Sequence, residues 1–334
     1  MSAPQHIFIL GATGYVGGAL LAPLLATYPT TTITALVRKP EAGQAVKALA
    51  PSKITIVQGS HSDFDLIEAE STKADLVINA ADADDLPLIK AVIRGLAKRE
   101  KKGILLETSG SALIVGQNIS GSLSAQSSKV WDDTNTTEIR AIPETAPHRI
   151  VDLEVFNAHN AGILTGAVIC PGLIYGVGTG PVNKKSIQIP KLVEVALRRR
   201  AVSHIGEGTN IWINIHLYDL IQLYLVVLKH TLLQHEKGVK TDAYDNFYFA
   251  NSSEAPIQAI TELIAPVLFK KGLVDSPHVQ GVTAEEEQEL AMILGHTSRG
   301  VSKRAGRIGW SAKEEGLDKA IEKDIEIILE SFHK

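Results

Sequence analysis

The stretch His6-Ile-Phe-Ile-Leu10-Gly11-Ala-Thr-Gly14-Tyr-Val-Gly17 decides the fold of this 334-residue chain. Its apolar start is typical of a buried strand, and the residues after Gly14 begin a helix. Gly11 permits a tight strand-to-helix turn, Gly14 lets the backbone approach a pyrophosphate, and Gly17 allows close packing of helix on strand. Free N–H groups at the positive end of the helix dipole would then hold the anion. The stretch therefore predicts a dinucleotide-binding turn.

The rest of the first half repeats this strand-helix pattern. Short Ile-, Leu- and Val-rich runs without polar alternation predict strands covered on both faces, at 6–10, 32–37, 53–57, 75–79 and 103–107. Amphipathic stretches between them predict helices at 14–27, 40–50, 62–71 and 85–99. This alternation predicts an α/β fold, a Rossmann doubly wound parallel sheet with right-handed crossovers. We expect residues 1–170 to form this nucleotide-binding domain and 171–334 mainly a smaller C-terminal substrate-binding part, interleaved with it.

The pattern changes after Thr108. Residues 110–147 are rich in Ser, Thr, Asn and Asp and predict a long loop, of the kind that serves a site as a lid or wall. A helix at 148–160 and a sixth strand at 163–169 follow. Further on, the sequence predicts a helix at 217–230, a short strand at 246–250 and an amphipathic helix at 312–332.

Composition excludes several classes of protein. The 33 basic and 37 acidic side chains give a net charge of −4. The chain therefore lacks the basic excess that would indicate a nucleic-acid partner. No apolar run approaches the length of a bilayer span, and Cys170 is the one cysteine, which rules out an internal disulfide. We therefore expect a soluble cytoplasmic protein with a small-molecule substrate and no predicted metal site.

The end of the second strand bears on the cofactor. An acidic residue at this tip would accept hydrogen bonds from the adenosine ribose, whereas the chain has Arg38 followed by Lys39. The planar donor fork of an arginine suits a 2′-phosphate. This favours NADP over NAD, with a solvated strand-end arginine as the alternative explanation.

Several motifs together resemble the extended or atypical short-chain dehydrogenases/reductases, including the NAD-dependent epimerase/dehydratase and NmrA-like branches. They are Gly11-Ala-Thr-Gly-Tyr-Val-Gly17, Asn79-Ala80-Ala81, Thr108-Ser-Gly-Ser111-Ala-Leu-Ile-Val-Gly116, Pro171-Gly-Leu-Ile-Tyr175-Gly176, Asn214-Ile-His216-Leu-Tyr-Asp219 and Ile308-Gly309-Trp310. The resemblance implies that Ser111 is the catalytic Ser/Thr of the family. It also implies, with the glycine turn and Arg38, a cofactor-binding set comprising Gly11, Thr13, Gly14, Tyr15, Val16, Gly17, Arg38, Ser60, His61, Ala80, Ala81, Thr108, Ser109, Arg149 and Pro171.

The chain departs from the family at two places. The third-strand motif reads Gly59-Ser60-His61 where the family has Gly-Asp for the adenine. The family's Tyr-x-x-x-Lys pair, whose Tyr donates a proton to the carbonyl, is absent. His148 stands at the Tyr position and Asp152 at the Lys position.

These two residues are four apart, and on a helix they would share one face. A carboxylate beside an imidazole raises its pKa and fixes its tautomer. We therefore expect His148 to act as the general acid, oriented by Asp152, with Ser111 binding the substrate oxygen. Alternatively, His148 and Asp152 only cap and staple a helix. Arg149 is a partial substitute for the cofactor-holding lysine, and Tyr175 is a reserve proton donor.

Three functions fit these features. One is an NADP-dependent oxidoreductase acting on a small carbonyl or related substrate. Another is a redox-neutral epimerase, dehydratase or cyclase, and the third is an NmrA-like sensor that binds NADP without turnover. The substrate is not determined; the polar residues after Pro171 are as consistent with structural roles as with substrate contact, namely Asn183, Lys184, Gln188, Trp212 and His216. The resemblance also suggests a homodimer through helices of the Rossmann domain.

Overall fold

The computed structural model describes residues 3–116, 119–122 and 128–332. Its strands are β1 (His6–Leu10), β2 (Thr32–Val37), β3 (Ile54–Gln58), β4 (Leu76–Asn79), β5 (Gly103–Thr108), β6 (Trp131–Asp132), β7 (Leu164–Pro171), β8 (Leu173–Tyr175), β9 (Ser203–Ile205), β10 (Ile211–His216), β11 (Phe247–Ala250), β12 (Ser253–Pro256), β13 (Gln280–Val282) and β14 (Gly300–Val301).

The helices alternate with the strands in the first half and cluster in the second. They are α1 (Tyr15–Thr27), α2 (Pro40–Ala48), α3 (Phe64–Lys73), α4 (Leu86–Ala97), α5 (Thr136–Arg140), α6 (Arg149–Asn160), α7 (Gln188–Arg199), α8 (Leu217–Glu236), α9 (Ile257–Lys270), α10 (Gln288–Leu294), α11 (Lys303–Arg307) and α12 (Leu317–Phe332).

Seven parallel strands form the central sheet in the order β11-β7-β5-β4-β1-β2-β3. The order reverses direction between β1 and β4, so the loops that leave these two strands diverge to opposite faces. Such a switch point leaves a crevice at the carboxyl ends of the strands, where α/β proteins bind ligands. The predicted Rossmann sheet is confirmed, and its crevice locates the site.

Two apolar clusters cover the sheet, one on each face. Ile7 and Ile9 of β1 point to the face covered by α1 and α8, while Phe8 and Leu10 point to the face covered by α4 and α6. All four of these side chains are fully buried. Burial on both faces explains why the strand reads as a continuous apolar run.

The second half adds a smaller body and also completes the sheet. Its helices α7, α9, α10 and α12 pack around a third cluster that includes Trp212 and Tyr175. A three-stranded sheet, β12-β10-β8, belongs to this part, with β10 antiparallel to β12 and parallel to β8. Strand β11 pairs with β7 at the edge of the central sheet. Two shorter strand pairs, β13 with β9 and β14 with β6, lie outside it.

The long loop predicted at 110–147 contains more structure than expected. A 3-10 turn at Ser111–Ile114, strand β6 and helix α5 interrupt it; residues 117–118 and 123–127 lie outside the described part of the chain. These elements were not predicted because each is five residues or fewer, too short to show a period. Helix α8 also runs six residues beyond its predicted end at 230.

Candidate functional site

The glycine turn after β1 is built from backbone alone. Gly11 has a φ of 84°, and a Cβ there would lie 2.1 Å from the carbonyl oxygen of Ala80. The amide of Gly14 donates to the oxygen of Gly11 at 2.8 Å, which closes the turn. A Cβ on Gly17 would lie 2.3 Å from that same oxygen. Only glycine therefore permits β1, α1 and the loop after β4 to approach so closely.

Helix α1 begins at Tyr15 without a side-chain cap and without an acidic residue in its first turn. The amide groups of its first turn are thus free of a competing side-chain acceptor and lie at the positive end of the helix dipole. This is the arrangement that binds a phosphate group. The turn and the helix start fit the pyrophosphate of a dinucleotide.

Two cavities meet at this turn. The smaller, of about 160 Å³, is lined by residues that include Gly11, Thr13, Arg38 and His61. Arg38 is exposed and makes no hydrogen bond or ion pair within the part of the chain that the structure describes. Its guanidinium is therefore available to a ligand at the tip of β2. The shape and position of this cavity suit the adenosine end of a cofactor.

The larger cavity, of about 710 Å³, extends from Gly14 to helix α10. Gly14, Ala80 and Ala81 line both cavities, so the two form one continuous cleft across the switch point. The predicted site residues that line the larger cavity are Gly14, Tyr15, Val16, Ala80, Ala81, Thr108, Ser109, Ser111, His148 and Pro171. A dinucleotide would cross the glycine turn and place its nicotinamide end here.

The tips of β4 and β5 are locked together beneath the cleft. The amide nitrogen of Asn79 donates to both carboxyl oxygens of Glu107, at 2.9 and 3.0 Å. Burial, partly offset by this hydrogen bond, raises the pKa of Glu107 well above its usual value. The hydroxyl of Thr108 donates to the carbonyl oxygen of Asn79 at 2.6 Å and lies 2.6 Å from the hydroxyl of Tyr224. The cofactor-facing loops therefore start from rigid ends.

His148 is held at the cavity wall by Asp84, not by Asp152 as the sequence suggested. Its Nδ1 lies 3.0 Å from Asp84 Oδ1, and its backbone amide donates to the same oxygen at 2.9 Å. An ionised carboxylate only accepts, so Nδ1 carries a proton and Nε2 is the atom left for chemistry. Nε2 faces Gly110, where a Cβ would lie 2.9 Å from it.

The backbone at His148 explains this difference. The residue precedes α6 as its N-cap and has a φ of 66°, a left-handed conformation that is costly for a residue with a side chain. The i,i+4 rule applies to residues inside a helix, and His148 lies outside it. The left-handed turn instead directs the imidazole to the loop after β4.

Ser111 directly follows Gly110, the residue that His148 Nε2 faces. Ser111 lines the larger cavity with its side chain buried, and its Oγ has almost no exposed surface and no hydrogen-bond partner among the described residues. A buried hydroxyl without a partner costs free energy, about 1–3 kcal/mol. An oxygen atom of a ligand in the cavity would supply the missing partner once the hydroxyl rotates towards it.

Asp152 lies behind the cavity wall. It is fully buried, its Oδ2 accepts from Ser109 Oγ at 3.0 Å, and its Oδ1 has no partner within the described residues. Burial raises the pKa of Asp152 to about 7. The hydrogen bond from Ser109 and the charge of Arg149 lower this pKa, but the effect of burial is larger. The lysine position of the family thus holds a carboxyl group that touches the site through Ser109.

Four other predicted site residues line neither of the two cavities, namely Arg149, Tyr175, Ser60 and Gly17. Arg149 is buried on α6, where Nη2 donates to the carbonyl oxygens of Ile139 and Arg140. Tyr175 donates to the carbonyl oxygen of Glu315 at 3.0 Å, and burial raises its pKa to about 12. Neither lines either of these two cavities, and both side chains are engaged by backbone carbonyl groups.

Ser60 is the third, and its neighbours explain its position. Its amide and hydroxyl both donate to Asp63 Oδ2, at 2.5 and 3.1 Å, at the start of α3. His61 and Gly59 line the adenosine end instead. Gly17, the third glycine of the turn, also lines neither cavity and serves the packing of α1.

The substrate end of the larger cavity takes three of the five polar candidates, Asn183, Gln188 and Trp212, whereas Lys184 and His216 do not line it. The sequence-based analysis did not single out Asp84. The acidic run after Asn79, which reads Ala80-Ala-Asp82-Ala-Asp84-Asp85, was the available signal, because it leaves a strand tip at the cofactor crevice.

The comparisons with known proteins agree with this geometry. A family model described as NAD(P)H-binding matches residues 11–138. An oxidase of an Acremonium species, ucsJ, is 29% identical over 95% of this chain and 96% of its own length. An uncharacterized protein of Saccharomyces cerevisiae is 23% identical over 79% of this chain and 80% of its own length.

Solved structures share the fold across the whole chain. The dTDP-glucose 4,6-dehydratase of Streptomyces venezuelae, as a double mutant with NAD bound, has a TM-score of 0.70 at 16% identity and covers 96% of this chain and 95% of its own. The UDP-glucose 4-epimerase of Thermotoga maritima has a TM-score of 0.65 at 16% identity, with coverages of 98% and 99%. Residues 11–138 therefore match a family model of NAD(P)H-binding domains, and the chain has the same fold as these dehydratase and epimerase structures.

Proposed function

We propose that this protein is an NADP-preferring oxidoreductase that interconverts a small carbonyl compound and its alcohol. The observation that supports the proposal is that His148 and Ser111 both line the cavity beside the glycine turn, while His148 Nε2 and Ser111 Oγ have no hydrogen-bond partner among the described residues. A carbonyl oxygen needs a hydrogen-bond donor and a proton source as its carbon is reduced. These two side chains supply both.

The cofactor would be held by backbone at its centre and by side chains at its ends. The glycine turn and the start of α1 would take the pyrophosphate, and Arg38 would take the 2′-phosphate of NADP. Ala80, Ala81 and Thr108, at the tips of β4 and β5, would border the path to the nicotinamide end. When bound, the reduced nicotinamide supplies a hydride to the carbonyl carbon and is thereby oxidised.

The protein's own residues then manage the proton. Ser111 Oγ donates a hydrogen bond to the substrate oxygen and fixes its position. Protonated His148 gives its Nε2 proton to that oxygen as the negative charge develops, so the carbonyl gains one hydride and one proton and becomes an alcohol. Asp84 accepts the hydrogen bond from the Nδ1–H group, so the proton stays on Nδ1, and the carboxylate stabilises the imidazolium before the transfer. The imidazole, whose side chain is 18% exposed, regains its proton from water.

Asp152 has a supporting role in this scheme. Through its hydrogen bond to Ser109 it fixes the side chain of a residue that lines the cavity two positions before Ser111. The protonated form of this carboxyl group, which its raised pKa of about 7 favours below neutral pH, avoids placing a second negative charge beneath the developing alkoxide. The family's lysine is therefore replaced by a group that positions and does not bind the cofactor ribose.

The test is turnover by purified, ligand-stripped protein. With NADPH and a panel of aldehydes and ketones, we expect loss of absorbance at the wavelength of the reduced nicotinamide. Ser111→Ala should lower the rate strongly, since one donor to a developing oxyanion is worth about 10²-fold. Ser311→Ala, which removes an exposed hydroxyl outside the cavity, is the matched control and should leave the rate unchanged.

Two results would replace the proposal. Tight NADPH binding without oxidation by any carbonyl would indicate a sensor that responds to cofactor occupancy. Conversion of a substrate with no net change in the cofactor's absorbance would indicate a redox-neutral epimerase or dehydratase.

A further inference from the structure

The far end of the larger cavity is partly open and combines exposed apolar side chains with the polar Asn183 and Gln188. Among the large apolar side chains that the described residues leave exposed, Ile187 at 73% and Met292 at 66% are the most exposed, and both line this cavity. They come from different places, the start of α7 and the middle of α10. Exposed apolar side chains that converge on one cavity mark a surface that a ligand covers.

The wall between these two residues and Ser111 is apolar. Val115, Ile174, Trp212 and Ile293 line it. Trp212 donates its indole N–H to the carbonyl oxygen of His296 at 2.6 Å, so its one polar atom is already satisfied. The ring thus offers the cavity only its hydrocarbon surface.

The charged groups at this cavity do not suit an anionic substrate. Lys185 is the one lysine or arginine in the described lining, and its ammonium donates to Ser331 Oγ at 2.7 Å. Asp82 and Asp84 line the same cavity and are acidic. A nucleoside diphosphate sugar would need cationic donors for its two phosphates, which arginine supplies best. The described lining offers repulsion where such a substrate would need attraction.

We propose that the substrate is an uncharged molecule with a large apolar body, such as an aryl or long-chain alkyl aldehyde, ketone or alcohol. Its oxygen lies at Ser111, and its body lies against Trp212 and under Ile187 and Met292. We infer the substrate class from the lining of the cavity, whereas the reaction of this substrate rests on the proposed oxidoreductase function. An apolar, uncharged substrate would distinguish this chain from the structures of similar fold that are named for dTDP-glucose and UDP-glucose.

Binding and turnover are measured separately to test this. Titration calorimetry with 2-naphthol, added to the protein with NADP⁺ present, reports occupancy of the far end without any reaction. Oxidation of NADPH with 2-naphthaldehyde reports turnover. UDP-glucose and dTDP-glucose are the opposing probes in the binding assay. We expect 2-naphthol to bind and both nucleotide sugars to show no heat of binding at the same concentration.

Variants at the rim locate the binding. Ile187→Ser and Met292→Ser remove exposed apolar surface, so the fold should be retained. Each should weaken 2-naphthol about tenfold and raise KM for 2-naphthaldehyde with little change in kcat, as expected for lost apolar contacts. Val239→Ser, at a side chain that is half exposed and remote from the cavity, is the control and should change neither value.

The two proposals fail differently. If 2-naphthol binds and weakens in the rim variants while no carbonyl is reduced, the substrate class stands and the oxidoreductase function falls. If NADPH is oxidised by hydrophilic carbonyls while 2-naphthol does not bind, or binds equally in the rim variants and wild type, the apolar substrate is wrong. Tighter binding of a nucleotide sugar than of 2-naphthol would also overturn it.

Discussion

The proposed cofactor turn and the proposed proton-donor site lie at two adjoining cavities and are built in opposite ways. The turn uses seven consecutive residues, from Gly11 to Gly17, and acts through backbone groups. The proposed proton-donor site joins Asp84, Ser111 and His148 from three separate segments of the chain and would act through side chains. A site made of local backbone is visible in the sequence, whereas a site made of distant side chains depends on how the loops fold.

Removal of the imidazole should show that the two regions are separable. We expect His148→Ala to lower kcat for carbonyl reduction by about 10²- to 10⁴-fold, because a positioned general acid is worth that much. The affinity for NADPH should remain within about twofold, since His148 contacts neither the glycine turn nor Arg38. Steady-state kinetics and a NADPH titration on the same preparation measure both quantities.

A matched control accompanies this variant. His278→Ala removes an exposed imidazole that lines neither cavity and should behave as wild type. Equal losses of turnover and NADPH affinity in His148→Ala would show that the two regions are one unit.

A methyl group at the turn should have the next largest effect. In Gly14→Ala the new Cβ would lie 3.0 Å from the oxygen of Gly11, tight but tolerable for the fold, and it would crowd the approaching diphosphate. We expect about 30-fold weaker NADPH binding, or about 2 kcal/mol. Gly306→Ala is the control, because nothing lies within 4 Å of its Cβ and its φ is not positive. An unchanged NADPH affinity in Gly14→Ala would place the diphosphate elsewhere.

How far the sequence could predict these regions follows from the same contrast. Strands β1 and β2 have their predicted bounds, because both are apolar runs set by local burial. Helix α6 begins at Arg149, one residue later than predicted, so His148 precedes the helix instead of starting it. Placed inside the helix, His148 would pair with Asp152; placed before it, with a left-handed backbone, it pairs with Asp84, which is 64 residues away in the chain.

Buried arginine shows a second limit. Arg149 follows His148, and its charge suggested a cofactor ligand, yet its guanidinium lies among the carbonyl groups of α5 and the ring of Tyr244. A sequence gives the type of a side chain but not the face of the helix that tertiary packing turns inward. Local patterns are therefore sufficient to predict the sheet and the turn, and insufficient to predict how the proposed catalytic side chains pair.

Charge at the tip of β2 provides a smaller test on the cofactor side. We expect Arg38→Ala to weaken NADPH about tenfold and to leave NADH within about twofold, because the exposed guanidinium would meet the 2′-phosphate alone. Paired titrations with the two reduced cofactors measure this ratio. Lys240→Ala, which removes an exposed cation in a distant loop, controls for net charge. Equal losses for both cofactors would contradict the proposed preference for NADP.

The smallest effect concerns stability and the group that replaced the family's lysine. The pKa of Asp152 is raised by burial to about 7, so the folded protein favours the protonated carboxyl group. Stability from this residue is fully present below its unfolded pKa near 4 and is lost as the pH rises through about 7. Asp152→Asn keeps an acceptor for Ser109 and cannot ionise.

We therefore expect Asp152→Asn to be more stable than wild type at pH 8, by about 1 kcal/mol, and to lose this advantage at pH 5. Chemical denaturation of both proteins at the two pH values measures the difference, and the buried Asp133 and Asp324 contribute equally to each. A variant that is less stable at pH 8 than at pH 5, relative to wild type, would show that Asp152 is ionised and paired in the folded protein.

The central claim is that the turn after β1 and the start of α1 hold a dinucleotide. Titration calorimetry on ligand-stripped wild-type protein tests it most directly, with NADPH, NADP⁺, NADH and NAD⁺ each added alone. We expect one binding site per chain, with NADPH and NADP⁺ bound more tightly than NADH and NAD⁺. Absence of binding for all four would contradict it.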